Sequence, residues 1–313
     1  MILTVTLNAA LDVTYLVDRL RPHTSHRVDT THRRAGGKGV NVSRVLAALG
    51  RETVVTGLVG GPTGDLLRAD LATAGLRDEL LTAAGESRHT VTVVSREDGD
   101  ATVFNQPGPP VAPREWAAFR AHFTRLVGHA EAVVLSGSVP PGLPADVYGR
   151  LLSTARAAGV PTVLDTGGTA LRAALPARPD VVKPNAAELA AATGTPATGT
   201  AAAVDALRAA GARSVVASLG PAGLRAHTPD GAWRAVPPEH LGGNPTGAGD
   251  ACVAALAAGL ADGRPWPDVL RDAVALSAAA VVCPVAGDVD TATYRRLRTA
   301  VRLEDLHAPD THR

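Results

Sequence analysis

Four short, largely aliphatic and β-branched runs constrain this chain more than any other feature: Glu131–Leu135, Thr162–Asp165, Asp180–Lys183 and Ser214–Ser218. Helical stretches such as Ala145–Ala158 alternate with them. Buried strands that alternate with helices require right-handed βαβ crossovers, and so a parallel sheet covered on both faces. In such sheets ligands bind beyond the carboxyl ends of the strands. Polar clusters begin after Leu135, Val182 and Ala217, each at a strand end. They are therefore expected along one crevice.

The first hundred residues read differently. Residues 2–8 and 53–60 are core strands, and Gly64–Ala74 is a helix. Thr90–Val94 and Ala101–Asn105 alternate around the turn Glu97–Asp100, as a hairpin does. Ser25–Thr31 alternates as well, so residues 12–33 and the hairpin could form a small separate sheet. Between them Ala35–Val42 is a glycine-rich turn, leading to a helix over Ser43–Gly50. Further on, Arg114–Val127, Pro267–Val282 and Tyr294–Leu303 are expected helices, and residues 304–313 a frayed polar tail. The 313 residues are read as one domain, 1–313.

Composition excludes several functions. A net charge of +1 gives no basic nucleic-acid surface and no acidic tail. The start, Met1–Asn8, reads as a buried strand and not as a signal peptide, and no stretch has transmembrane length without charges or glycines. Two cysteines without metal-ligand spacing fit a reducing, cytoplasmic setting. The ten histidines form no cluster with the two cysteines, which argues against structural zinc. Of 31 basic residues only Lys38 and Lys183 are lysines, so these two stand where a compact ammonium, such as one on a phosphate, could matter.

Gly242–Leu256 passes from a glycine loop into an alanine-rich helix. Backbone N–H groups at such a junction attract an anion. Asp250 beside it is either a helix cap or a base that takes a proton from an attacking hydroxyl while the amides of Gly247, Ala248 and Gly249 hold a phosphoryl group. The earlier loop brings Lys38 and Asn41 together. It is not a Walker A loop, since Gly39 follows the lysine, and it lacks the spacing of a dinucleotide fingerprint.

Five motifs in this order resemble the ribokinase-like carbohydrate kinases, in particular their phosphofructokinase B branch. They are Gly36-Gly37-Lys38-Gly39-Val40-Asn41-Val42, Ser136-Gly137-Ser138-Val139-Pro140-Pro141-Gly142, Lys183-Pro184-Asn185-Ala186-Ala187-Glu188, Ser218-Leu219-Gly220-Pro221-Ala222-Gly223 and Gly247-Ala248-Gly249-Asp250. The resemblance implies a three-layer α/β/α domain with a mostly parallel sheet and a small β-sheet lid from about 12–34 and 88–106. It implies ATP and Mg2+ as cofactors. By the same resemblance Asp250 is the catalytic base and Gly247 to Gly249 the anion hole. Asp12, Gly37, Lys38, Asn41, Arg88 and Ser138 would bind the acceptor, and Lys183, Asn185, Ser218, Gly220 and Gly223 the nucleotide. Glu188 would help to hold Mg2+ through water, and lids of this kind often pair subunits into a dimer.

A second anionic group on the acceptor needs its own cations. Lys38 and Arg88, with Arg27 as a third, point to a phosphosugar and away from a plain sugar or nucleoside. The best reading is a 1-phosphofructokinase; tagatose 6-phosphate and fructose 6-phosphate are the alternative acceptors. A non-catalytic sugar-phosphate binder is the reading from another class, opposed by the intact Asp250, Lys183 and Glu188.

Overall fold

The computed structural model describes residues 1–97, 99–195 and 199–306. Its larger sheet has ten strands with β1 (Ile2–Thr6) inside it. On one side of β1 lie β4 (Thr53–Val59) and β5 (Arg77–Thr82); on the other lie β8 (Ala132–Ser136), β9 (Thr162–Asp165), β10 (Val181–Val182) and β11 (Ser214–Ser218). These seven run parallel. Beyond them β12 (Leu224–Thr228), β13 (Gly231–Val236) and β14 (Arg302–Asp305) extend the sheet antiparallel.

Side chains of one strand enter two cores, as a pleat requires. Leu3 and Val5 pack with Phe119 and Phe123 of α3 (Pro113–Val127) and Leu151 of α4 (Val147–Ala157). The same layer holds α5 (Gly168–Ala174), α6 (Ala186–Thr193) and α7 (Thr200–Ala209) through Leu171, Leu189 and Val204. Ile2 faces the opposite way, toward α1 (Lys38–Ala48), α8 (Ala248–Ala261) and α9 (Trp266–Val281). Helix α8 is buried on most sides, which explains its alanines. At Gly259 a Cβ would run into Val269 of α9, so glycine sets how closely these helices approach. Leu297 anchors α10 (Thr291–Arg298) to the same core.

The smaller sheet has the order β3 (Thr30–Gly36), β2 (Ala10–Val17), β6 (Arg88–Ser95), β7 (Ala101–Asn105). It is mixed: β2 and β6 run parallel, the outer pairs antiparallel. Its root packs on α2 (Gly61–Thr73), where Leu11, Val13 and Ala35 meet Leu67 and Leu71. Register places Arg34, Asp12, Thr90 and Asn105 side by side across all four strands. All four line the cleft between the two sheets, so this face of the small sheet is a polar wall.

Several expected elements move. The first helix starts at Lys38, so Lys38 and Asn41 are helical residues and not loop residues. The cause is Gly37, whose φ of 99° turns the chain at once into α1. The strand expected over Ser25–Thr31 is β3, five residues later, and Asp12 lies within β2 of the small sheet. The last expected helix ends at Arg298, and Arg302–Asp305 is a strand where the end of that helix and the start of a frayed tail were expected; residues 307–313 and Asp98 of the hairpin turn lie outside the described residues. Strands β5, β12 and β13 were not anticipated: Arg77-Asp78-Glu79 is too charged to read as a core strand, and β12 and β13 carry Arg225, His227 and Arg234.

Candidate active site

Helix α1 delivers three functional groups along one face. Lys38, Asn41 and Arg44 recur every third residue, which keeps them on neighbouring turns. Gly39 lets the helix press against β1, since a Cβ there would overlap the Thr6 hydroxyl and come 2.8 Å from the Val5 carbonyl. Lys38 Nζ lies 3.3 Å from Asp165 and 3.6 Å from Glu188. Asn41 Nδ2 donates to Asp250 Oδ2 at 2.8 Å. Arg44 binds Asp70 of α2.

Asp250 sits in the first turn of α8, but the N-cap is Gly247, in the left-handed conformation at φ 92°. The Asp250 carboxylate is turned to Asn41, so the capping alternative does not describe it. Burial raises its carboxyl to about 7, against the pull of Lys38, while Asp165 pushes the same way as burial and Asn41 and Lys183 oppose it. The Ala248 N–H is used within the turn, donating to the Pro245 carbonyl at 3.2 Å. Of the three amides expected to face an anion, those of Gly247 and Gly249 have no acceptor among the described residues. Asn244 shapes this loop: its Oδ1 accepts from Thr246 N at 3.0 Å and its Nδ2 donates to Pro284 O at 3.0 Å.

Asp165 is the residue that sequence reading missed. It ends β9, is 1% exposed, and meets both lysines of the chain, Lys183 at 3.2 Å and Lys38 at 3.3 Å. Burial alone would raise its carboxyl, yet Lys183 and Lys38 hold it below the ordinary carboxylate range. Lys183 Nζ in turn lies directly beneath Gly249, where an added Cβ would be 3.4 Å away. The signal was present: Asp165 is a charged residue at a parallel-strand carboxyl end, the place where the other motifs were sought.

On the small-sheet side, Asp12 lies against Gly36, and burial lifts its carboxyl to about 6 against Arg88, Thr90, the Gly37 amide and Arg34. Arg88 donates from Nε to the Asn8 carbonyl at 3.1 Å, and from Nη1 to Thr90 at 3.1 Å and the Gln106 carbonyl at 3.3 Å. Asn8, also unforeseen, donates to Ser138 Oγ and Pro107 O, both at 3.0 Å, and so ties the small sheet to the end of β8. At the far end Ser218, Gly220 and Gly223 share the wall with Pro237, Leu241, Val274 and Val281. Gly249 and Lys183 line the same cleft as this apolar wall.

One cleft of about 1430 Å3 is lined by Asp12, Gly37, Lys38, Asn41, Arg88, Ser138, Lys183, Asn185, Ser218, Gly220, Gly223 and Gly247–Asp250. Glu188 and Arg27 are not among its lining residues. Glu188 forms a capping box with Asn185, accepting the Asn185 N–H at 2.9 Å while Asn185 Oδ1 accepts the Glu188 N–H at 2.8 Å. No group of three or more metal-ligating side chains occurs among the described residues. No helix there is long and apolar enough to cross a membrane.

A ribokinase-like α/β fold with a carboxylate and glycine amides at the strand ends defines a class, the sugar kinases. Residues 3–292 match the pfkB family of carbohydrate kinases, and the chain belongs to that family. Phosphofructokinase-2 from Escherichia coli, solved with potassium, is 28% identical at a TM-score of 0.87, over 96% of this chain and 98% of that one. A Thermotoga maritima protein described as a possible 1-phosphofructokinase is 25% identical at a TM-score of 0.89, over 97% and 99%. Ribokinase from Arabidopsis thaliana, solved with ribose and ATP, shares the fold at 22% identity and a TM-score of 0.73, over 95% and 98%.

Proposed function

We propose that this chain transfers the γ-phosphoryl group of ATP to a hydroxyl of a ketohexose monophosphate, with fructose 1-phosphate giving fructose 1,6-bisphosphate. The observation that carries the reading is Asp250: a buried carboxylate, raised to about 7, held by Asn41 beside the glycine amides and facing the cleft. In this reading Asp250 accepts the proton of the attacking hydroxyl. The amides of Gly247 and Gly249 and the ammonium of Lys183 take up charge on the transferring group. Ser218, Gly220 and Gly223 border the nucleotide, with the apolar wall for its base. Asp12 and Ser138 hold hydroxyls of the acceptor, and Arg88 its phosphate. The small sheet acts as a lid that excludes water.

A divalent ion fits this site only through phosphate oxygens and water, because Asp165 is neutralised by two lysines and no carboxylate cluster is present. Glu188, just behind Lys38, is the carboxylate that would steady its water shell. When bound, the ion neutralises charge on the phosphates.

Fructose 6-phosphate is the second reading, favoured by the likeness to the Escherichia coli phosphofructokinase-2, which has been solved with that sugar phosphate. ADP release with fructose 1-phosphate, fructose 6-phosphate, tagatose 6-phosphate and fructose separates the cases. The highest kcat/KM is expected on fructose 1-phosphate. Asp250→Ala should lose about 10²- to 10⁴-fold in kcat with its fold intact. Binding without turnover on every acceptor would sink the kinase reading. We also infer a homodimer through the small sheet, supported by Phe104, 57% exposed on edge strand β7.

A further inference from the structure

Arg34 stands on β3 directly across from Asp12, and its side chain is 17% exposed at the cleft wall. Among the described residues its guanidinium makes one hydrogen bond, from Nη2 to Asp288 Oδ1 at 3.0 Å. Asp288 is 46% exposed, so this partner is itself hydrated. A guanidinium has five N–H donors in a planar fork. Arg34 can therefore keep Asp288 on one edge and offer the rest to an anion in the cleft.

We propose that Arg34 is a specificity-determining residue that binds the acceptor's own phosphate, and that Asp288 is the positioning residue that aims it. The inference rests on the phosphosugar reading above. The other cations near the acceptor have more of their donors in use than Arg34 does. Lys38 is held by Asp165 and Glu188, on the side where Lys183 and the glycine amides lie. Arg88 spends three hydrogen bonds from Nε and Nη1 on Asn8, Thr90 and Gln106, which leaves its Nη2 for the phosphate and makes Arg34 the second cation there. Between Arg34 and Arg88 sits Asp12, whose charge would repel a phosphate unless a cation flanks it. Arg34 supplies that cation on the β3 side.

The place of Asp288 explains how the aim is kept. The segment that carries it touches the glycine loop before α8 and the first turns of α1. Pro284 O accepts from Asn244, Ala286 lies 2.9 Å from a Cβ placed on Gly247, and Gly287 packs on Asn41 and Arg44. Asp288 thus fixes Arg34 relative to the same loop and the same asparagine that position Asp250. A ligand phosphate bound by Arg34 is then held at a set distance from the base, which is how remote binding aligns a reacting hydroxyl.

The test compares phosphorylated and unphosphorylated acceptors. For Arg34→Ala, KM for the best ketohexose phosphate should rise at least tenfold, with kcat within threefold and KM for ATP unchanged. The kcat/KM for fructose should stay within twofold, so that the preference for the phosphosugar collapses. Arg34→Lys should recover part of the loss, and Asp288→Asn should raise the same KM by a smaller factor. If Arg34→Ala does not fold, Arg34→Gln keeps the stem and reads the same ratio. An unchanged KM, or an equal loss on fructose and phosphosugar, overturns the assignment. Calorimetric binding of the phosphosugar without nucleotide separates this from the kinase reading. A wild-type protein that binds but never turns over ends the kinase reading, while tenfold weaker binding by Arg34→Ala still upholds the role of Arg34. Equal binding by the two, or no binding by the wild type, removes it.

Discussion

Burial lifts the Asp250 carboxyl to about 7, while Asn41 and the lysines pull it back. As a base it works only when ionised, so kcat/KM should fall about tenfold per pH unit below about pH 7 and level off above it. Asn41→Ala removes a hydrogen bond that favours the charged form, so the acid limb should move to higher pH. A pH–rate profile of the two proteins checks both; a limb that stays in place would deny Asn41 this part. The same shift acts on stability with the opposite sense. The folded chain holds the Asp250 proton more tightly than the unfolded chain, so its contribution to stability declines as pH rises from about 4 to about 7. Asp165 is the reverse case, a carboxyl held low by Lys183 and Lys38 against burial. Its contribution is present above the unfolded value and is lost as pH falls through the lower folded one. Asp165→Ala leaves the buried Lys183 without its counter-ion and Lys38 with Glu188 alone, and should cost about 3–5 kcal/mol, measured by urea unfolding.

Single elements carry more of the site than their motifs suggested. The glycine-rich run around Lys38 reads as a loop, and glycines do mark close approach, but the approach is that of a helix to β1. Once α1 begins at Lys38, the three-residue spacing to Asn41 and Arg44 sends one side chain to Asp165, one to Asp250 and one to Asp70. That spacing is visible in the sequence, but the partners are not, because they come from β9, α8 and α2. Gly36 shows the same limit. A Cβ at this position would occupy the space of the Asp12 carboxylate, so the glycine is a requirement of Asp12 on the neighbouring strand. Gly36→Ala should displace Asp12 and raise KM for the sugar acceptor at least tenfold, by analogy with removing a charge-assisted hydrogen bond worth about 1.5–3 kcal/mol. KM for ATP should not change. Steady-state kinetics on both substrates decide it: parallel rises would mean that α1 had shifted, not Asp12.

At the scale of the molecule, the strand runs made the parallel half of the large sheet legible, since buried strands are continuously apolar and each ends in a polar motif. The antiparallel extension was hidden because its strands carry charges that a one-face-exposed sheet tolerates, as in Arg225, Arg234 and Arg302. Part of the cleft's lining followed from motifs at strand ends, whereas Asp165 and Asn8 have no glycine signature to draw notice. The small sheet was legible as alternation, and that alternation now bears on assembly. Val103 and Asn105 of β7 line the cleft, so Phe104 between them faces the other way. It is 57% exposed on a strand with an unpaired edge, a combination that folded chains ordinarily cover. If a second copy covers it, Phe104→Lys should weaken the dimer by about 2 kcal/mol or more, roughly thirtyfold in dissociation constant. Sedimentation velocity over a dilution series measures this directly. The substitution lies on the outer face, so the melting temperature of the isolated subunit should hold while the association is lost. A dimer of unchanged affinity would place the subunit contact elsewhere, and would leave the small sheet as a lid that closes within one chain.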